Sequence, residues 1–278
     1  MNALLESLHI YPVKSCHRVD VDAASVEPWG LAGDRRWVVV DAEGLQRTQR
    51  EVPRMALIRP EYSGDGRLAL RAPGMEDLIL TPPLRADGAA SMPVTVWGFT
   101  GHTAAAGPEA DEWVSTFVGE PSRLAYMDDT AIRPTNPDYS RPEDRVSFAD
   151  GYPLLLTTTA SLDALGEWIT GLGGEPVPMT RFRPNVVVAG TEPWAEEDWK
   201  RVRLGSQVFR VVKPCARCIV TTVDPELGAF TGRFPLAALR RFHRDGRKVI
   251  FGMNLVPDTV GPLRVGEEFE VLGGGSRR

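Results

Sequence analysis

The sequence predicts a mainly β protein with some α-helix, an α+β fold in which helices decorate a closed or nearly closed barrel and a β-rich region precedes it. Short runs rich in Val, Ile, Leu and aromatic residues recur between clusters of Gly, Pro, Asn and Asp along most of the 278 residues. Only three stretches have helical spacing. The steady strand-helix alternation of a doubly wound sheet is missing, and so are a Gly-x-Gly-x-x-Gly and a Walker A sequence.

Taken in order, strands are expected at residues 4–11, 19–26 and 36–41, the last closing on the turn Asp41-Ala42-Glu43-Gly44. Further strands are expected at 55–59, 68–71, 78–80 and 93–97. The stretch GPEADEWVSTFVGE puts Trp113, Phe117 and Val118 on one face with acids in its first turn, which predicts a helix. Pro134, Pro137 and Pro142, with Asn136 and Asp138 between them, predict an exposed connection or lid over 128–143. A second helix follows in TTASLDALGEWITG, where Leu162, Leu165, Trp168 and Ile169 form the apolar stripe. Strands are then expected at 185–189, 201–204, 208–212 and 219–223, a helix at 235–244, and strands at 249–251 and 268–272. The domain reading is 1–122 for the N-terminal β-rich domain and 123–272 for the second, with 273–278 as a disordered tail.

A composition that is 42% hydrophobic supplies a core, and a net charge of −5 argues against nucleic acid as a partner. No basic leader and no run of roughly 18 apolar residues is present, so the expectation is a soluble cytoplasmic protein without membrane contact. Cys16, Cys215 and Cys218 are too few and odd in number for a disulfide framework.

The chemistry centres on VVKPCARCIVTTVDPELG. Cys215 and Cys218 could form half a zinc site, a redox dithiol, or one working thiolate beside a bystander. Zinc needs four ligands, and His9, His17, His102 and His243 are scattered. A redox dithiol favours a helix start, whereas Ile219-Val220-Thr221-Thr222-Val223 is strongly strand-prone. A single working thiolate at Cys218 is the preferred reading, against a buried inert thiol. Cationic residues stand at expected strand ends: Lys14 with Ser15 in YPVKS, Arg35 and Arg36 in GDRRW, and Arg181 and Arg183 before Asn185 in RFRPN. Most such charges are solvated surface groups, but three sets at the mouths of one barrel can converge on a phosphate-bearing ligand. Pro184 is expected to hold Arg183 extended, with Arg181 on the same face one step farther away. Asp224 could supply a proton, but Asp224-Pro225 reads first as a turn.

IYPVKSC, GDRRWVVVD, ADGYPLLLTTTASLDAL, RFRPNVVV and CARCIVTTVDPELG, in that order, resemble the MOSC-domain proteins with their N-terminal β-barrel companion, in particular the amidoxime-reducing components and their bacterial relatives. The resemblance implies a MOSC-type β-barrel and a molybdenum cofactor, Mo-molybdopterin, with Cys218 as both metal ligand and catalytic residue. It implies cofactor contacts from Lys14, Ser15, Arg35, Arg183, Asn185, Ala216, Arg217 and Asn254. The family's pair before the PLLL-like run falls on Gly151 and Tyr152, where relatives tend to carry small hydroxyl residues. It further implies reduction of small N-hydroxylated molecules such as amidoximes and hydroxylamines. With too few cysteines for a [2Fe–2S] cluster, the implied electron donor is a separate ferredoxin- or cytochrome-type protein with its reductase. Two other readings stand beside this one: a sulfur or cofactor carrier with a persulfide on Cys218, and a β-barrel binding protein without redox chemistry.

Overall fold

The computed structural model describes residues 3–274. Its largest sheet runs, strand by strand, Val19–Val21, Leu4–Ile10, Val186–Ala189, Leu154–Thr158, Lys248–Pro257, Gln207–Ala216, Trp199–Leu204 and Phe269–Gly274, with the short Arg244–Asp245 beside Lys248–Pro257. Only the pairing of Leu154–Thr158 with Val186–Ala189 is parallel, and helix Thr159–Gly171 makes that crossover. Alternate residues on these strands, such as Leu154 with Leu156, Val186 with Val188 and Val202 with Leu204, meet in one core. The ladder does not close into a full barrel. Leu4–Ile10, the second strand from one end, meets the approach to the strand at the other end through a bridge, Leu4 to Glu268, and bonds such as Leu5 N–H to the Glu267 carbonyl at 2.9 Å.

A four-stranded antiparallel sheet follows the order Trp37–Asp41, Ser122–Tyr126, Phe99–Ala105 and Ser91–Val96. Helix Pro108–Val118 lays Trp113, Val114 and Phe117 against Leu124, Met55 and the Leu68–Arg71 strand. Thr158 caps helix Thr159–Gly171 by accepting from the Ser161 N–H at 3.2 Å. That helix and Leu236–Phe242 bury Leu165, Ile169 and Leu239 with Phe182 and Phe251.

Several sequence expectations change. The stretch expected as a strand at 55–59 is a 3-10 turn, Pro53–Leu57, begun by Pro53, with the strand delayed to Arg59–Tyr62. Ile219–Thr222 is also a 3-10 turn. There the Thr221 hydroxyl donates to the Cys218 carbonyl at 3.0 Å and the Thr222 hydroxyl to that of Ile219 at 2.7 Å, local bonds that outcompete a strand ladder. Strand Ser91–Val96 stops one residue short, leaving Trp97 in the hairpin loop. The connection over 128–143 has no regular element, but it is not wholly exposed: Asp128, Arg133 and Thr135 are buried. A cut at 122–123 would fall inside strand Ser122–Tyr126, and Leu4–Ile10 belongs to the large sheet. Gly273 and Gly274 lie in the last strand, and the rest of the expected tail, 275–278, lies outside the described residues.

Candidate active site

The eleven residues that the family resemblance assigns to the site line one open cavity between the large sheet and the loops of the N-terminal sheet: Lys14, Ser15, Arg35, Gly151, Tyr152, Arg183, Asn185, Ala216, Arg217, Cys218 and Asn254. The fold brings them there from strand ends. Lys14 and Ser15 follow Leu4–Ile10, Asn185 precedes Val186–Ala189, Ala216 ends Gln207–Ala216, and Asn254 sits within Lys248–Pro257. Among the described residues five non-glycine residues have positive φ, and four of them, Ser15 (66°), Arg35 (48°), Trp97 (55°) and Arg183 (55°), line this cavity. Backbone strain of that kind persists where the surrounding structure enforces it, and it clusters at functional sites.

Arg183 therefore differs from the extended residue that Pro184 predicts. It ends the 3-10 turn Met179–Phe182 in the left-handed region, where its guanidinium stacks over Tyr11 at 4.2 Å and donates to the Cys16 carbonyl at 2.8 Å. Arg181 does not share its face. It is buried and donates to Asp224 Oδ2 at 2.9 Å, away from the cavity. Asp224 in turn accepts from the N–H groups of Glu226 and Leu227, as a turn residue does. Arg36 likewise leaves the site and pairs with Asp129 at 2.7 Å.

Arg35 is set by a buried network. Its Nη1 donates to Asp34 Oδ2 at 2.6 Å and to Asn185 Oδ1 at 2.9 Å, while Asp34 Oδ1 accepts the Tyr11 N–H at 2.8 Å. The Asn185 amide is used up within the protein, since Oδ1 also accepts the Leu155 N–H and Nδ2 donates to the His9 carbonyl. Asn254 Nδ2 similarly donates to the Lys213 carbonyl at 3.0 Å. These two amides shape the cavity wall. Gly151 leaves open space where a Cβ would be, and Tyr152 buries its hydroxyl without a hydrogen-bond partner among the described residues.

The cavity is cationic although the chain is acidic. Lys14, Arg35, Arg50, Arg183 and Arg217 line it against one carboxylate, Asp150. Lys14 Nζ donates to Asp150 Oδ1 at 2.5 Å, and Asp34 pairs with Arg35. Among the described residues no carboxylate stands at ion-pair distance from Arg50, Arg183 or Arg217. Burial pushes the Arg183 guanidinium down to about 10, with the Arg35 charge adding to the effect, and holds Lys14 at about 8 despite Asp150. An anion entering here relieves that cost.

The titration of Lys14 gives a pH-dependent expectation. Its folded value of about 8 lies below the ordinary 10.5, so between these the unfolded chain holds a proton that the folded protein has released. Its contribution to stability therefore grows as pH rises through that window. Anion affinity runs the other way. Sulfate, which keeps its charge, is expected to bind about tenfold more weakly at about pH 9 than at about pH 7 by calorimetry, and Lys14→Arg to remove most of the step. The same step in Lys14→Arg would clear Lys14 of the role.

Cys218 is partly exposed in the cavity, and Arg50 Nη2 donates to its Sγ at 3.2 Å. Cys215 lies in the same wall with Arg217 Nη1 at 2.9 Å, whereas Cys16 is fully buried and its thiol is pushed up to about 12. The strand runs through Ala216 and Cys218 is extended at φ −130°, ψ −176°. Both thiols are free. Among the described residues no group of three or more His, Cys, Asp and Glu could hold a metal. A metal on Cys218 must then arrive with most of its ligands supplied by another molecule. One soft thiol, a ring of cations and a buried Arg217 Nε without a partner fit a phosphate-bearing pterin dithiolene that already holds its molybdenum.

Sequence reasoning missed Thr48, Arg50, Trp97, Asp150 and Phe182, which also line the cavity. Arg50 and Thr48 sit in an irregular segment, RTQR, with no periodic signal. Trp97 left a trace, an aromatic residue directly before Gly98 between two strand-like runs.

Comparison with known proteins gives the family. Residues 2–121 match the MOSC N-terminal beta barrel domain and residues 143–270 the MOSC domain. Mitochondrial amidoxime-reducing component 1 of Xenopus laevis is 32% identical, over 95% of this chain and 80% of its own length. The human protein of that name is also 32% identical, over 96% and 82%. Molybdenum cofactor sulfurase of rice is 29% identical over 90% of this chain but only 32% of its own length. With both domain models matched in order and relatives aligned along nearly the whole sequence, the chain belongs to the MOSC-domain proteins, those that carry the MOSC N-terminal beta barrel domain ahead of the MOSC domain.

Proposed function

We propose that this protein is a molybdenum-cofactor-dependent reductase of N-hydroxylated compounds that draws its electrons from a separate redox protein. The observation that supports it most is the cavity itself: a partly exposed Cys218 thiol faces a cationic wall built by Lys14, Arg35, Arg183 and Arg217. In this reading Lys14, Arg183 and Arg217 bind the cofactor phosphate, Arg35 is aimed by Asp34 and Asn185, and Cys218 ligates molybdenum. The cofactor supplies two-electron redox chemistry when bound. The overall change balances as N–OH plus two electrons and two protons giving N–H and water. The protein's own contribution is to orient the substrate and to limit water; Leu154, Leu155, Phe182 and Tyr152 supply the apolar part of the lining.

The aligned sulfurase keeps a second reading open, in which Cys218 carries sulfur as a persulfide. Elemental analysis separates the two. Protein made in a host that synthesises the cofactor is expected to hold about one molybdenum per chain, and to reduce benzamidoxime with an artificial one-electron donor or with a ferredoxin- or cytochrome-type partner and its reductase, but not with NADH alone. Metal-free protein with a cyanide-labile sulfur points to the carrier, and turnover with NADH alone contradicts the separate donor.

A further inference from the structure

Trp97 occupies the two-residue loop between Ser91–Val96 and Phe99–Ala105, where Val96 pairs with Phe99. Loops of this length favour Gly, Asn or Asp, because a bulky side chain is disfavoured at positive φ. Trp97 nevertheless sits there at φ 55° and is 42% exposed, so neither turn chemistry nor burial accounts for it. Its ring is held in place. The indole N–H donates to Asp150 Oδ1 at 3.2 Å, and Lys14 Nζ holds the same oxygen at 2.5 Å. One face of the ring carries the Arg50 guanidinium, 4.5 Å from centroid to carbon, and Nη2 of that guanidinium is 3.2 Å from Cys218 Sγ. A planar, delocalised C–N group thus already lies between the indole and the thiol.

We propose that Trp97 is a specificity-determining residue whose indole face is the platform for the planar C–N group of an amidine-type substrate, bound beside Cys218 in the place that Arg50 fills here. The choice of substrate rests on the reductase reading; the platform itself does not. An amidoxime or amidine carbon with its two nitrogens matches a guanidinium in planarity and size; a protonated amidine gains the cation–π attraction that indole gives most strongly, and a neutral amidoxime stacks by its plane. Arg50, on a long flexible stem, can withdraw into the open mouth. Asp150, with a side chain 72% exposed, stands at the edge of the ring to accept an N–H. An sp3 hydroxylamine has no plane to lay on the indole, so the platform selects for amidoximes over aliphatic hydroxylamines.

Benzamidine, a planar cation that carries no N–OH to reduce, tests the platform by ligand-observed NMR titration of the metal-free full-length protein. Trp97→Ala is expected to weaken binding about tenfold, Trp97→Phe about threefold, and Arg50→Ala to tighten it by uncovering the ring. Unchanged affinity in Trp97→Ala, or weaker binding in Arg50→Ala, overturns the proposal. In molybdenum-loaded protein Trp97→Ala is expected to lose the preference for benzamidoxime over an aliphatic hydroxylamine, through KM and not kcat, with molybdenum content unchanged. If the loaded protein reduces neither compound while benzamidine responds to the three substitutions as above, the reductase reading falls and the platform stands.

Discussion

Cys218→Ala is expected to leave the circular dichroism spectrum and thermal midpoint nearly unchanged while abolishing molybdenum retention and N-hydroxy reduction. The thiol is partly exposed in a cavity, so its loss opens no void in a core and costs within about 1 kcal/mol. Among the described residues its sulfur has one hydrogen-bond contact, the guanidinium of Arg50, which lines the cavity and can turn to solvent there. Cys218→Ser keeps that donor satisfied but replaces a soft ligand with a hard one, and molybdenum is expected to be lost as well. Cys215→Ala is the contrast. Its sulfur sits by Arg217, and the substitution should retain most of the metal and most of the activity. Elemental analysis of the purified variants decides the matter, and metal kept by Cys218→Ala but lost from Cys215→Ala would reverse the two cysteines' assignments.

The second large effect is on stability. Asp34→Ala is expected to lower the free energy of unfolding by about 3–5 kcal/mol in urea titrations, because it strands the Arg35 guanidinium in a buried site. Asp34 is fully buried and the Arg35 side chain is only 12% exposed, so little water can reach the pair to replace the lost partner. The Tyr11 N–H loses its acceptor in the same stroke. Asp34→Asn keeps an acceptor while removing the charge, and is expected to fall between wild type and Asp34→Ala. Arg35 is the link to function: once released it no longer meets Asn185, and the wall against which a phosphate would rest is lost. A loss below about 1 kcal/mol in Asp34→Ala would mean that Arg35 finds another partner and that the network is not what sets the cavity.

How far the sequence discloses this protein depends on which physical signal each residue carries. The cationic residues at strand ends were legible because Lys14, Arg35 and Arg183 each stand close to the end of a strand-like apolar run. What the local pattern could not give was conformation at the junctions. Pro184 argues for an extended Arg183, yet packing of Tyr11 and the Cys16 carbonyl around its guanidinium imposes the left-handed form. Ile219–Thr222 has every propensity of a strand, and two threonine hydroxyls bonding back to the main chain turn it instead. Arg50 and Trp97 belong to the site only through the packing of one sheet against another, a long-range property that no window of neighbours contains. The domain boundary drawn from sequence likewise follows the chain, whereas the sheets do not.

The placement of the first strand has a kinetic consequence. Leu4 pairs with Ala189 and Leu8 with Val186, so, beyond its short local ladder with Val19–Val21, this strand joins the sheet only through partners about 180 residues farther along the chain. Until that pairing forms, the apolar side chains of Leu5, Leu8 and Ile10, which end in the main core, are exposed to whatever else is nearby. The inner edge of this strand is therefore closed late, by a segment distant in the chain, and a folding chain that has not yet reached that pairing is the form most in need of a chaperone.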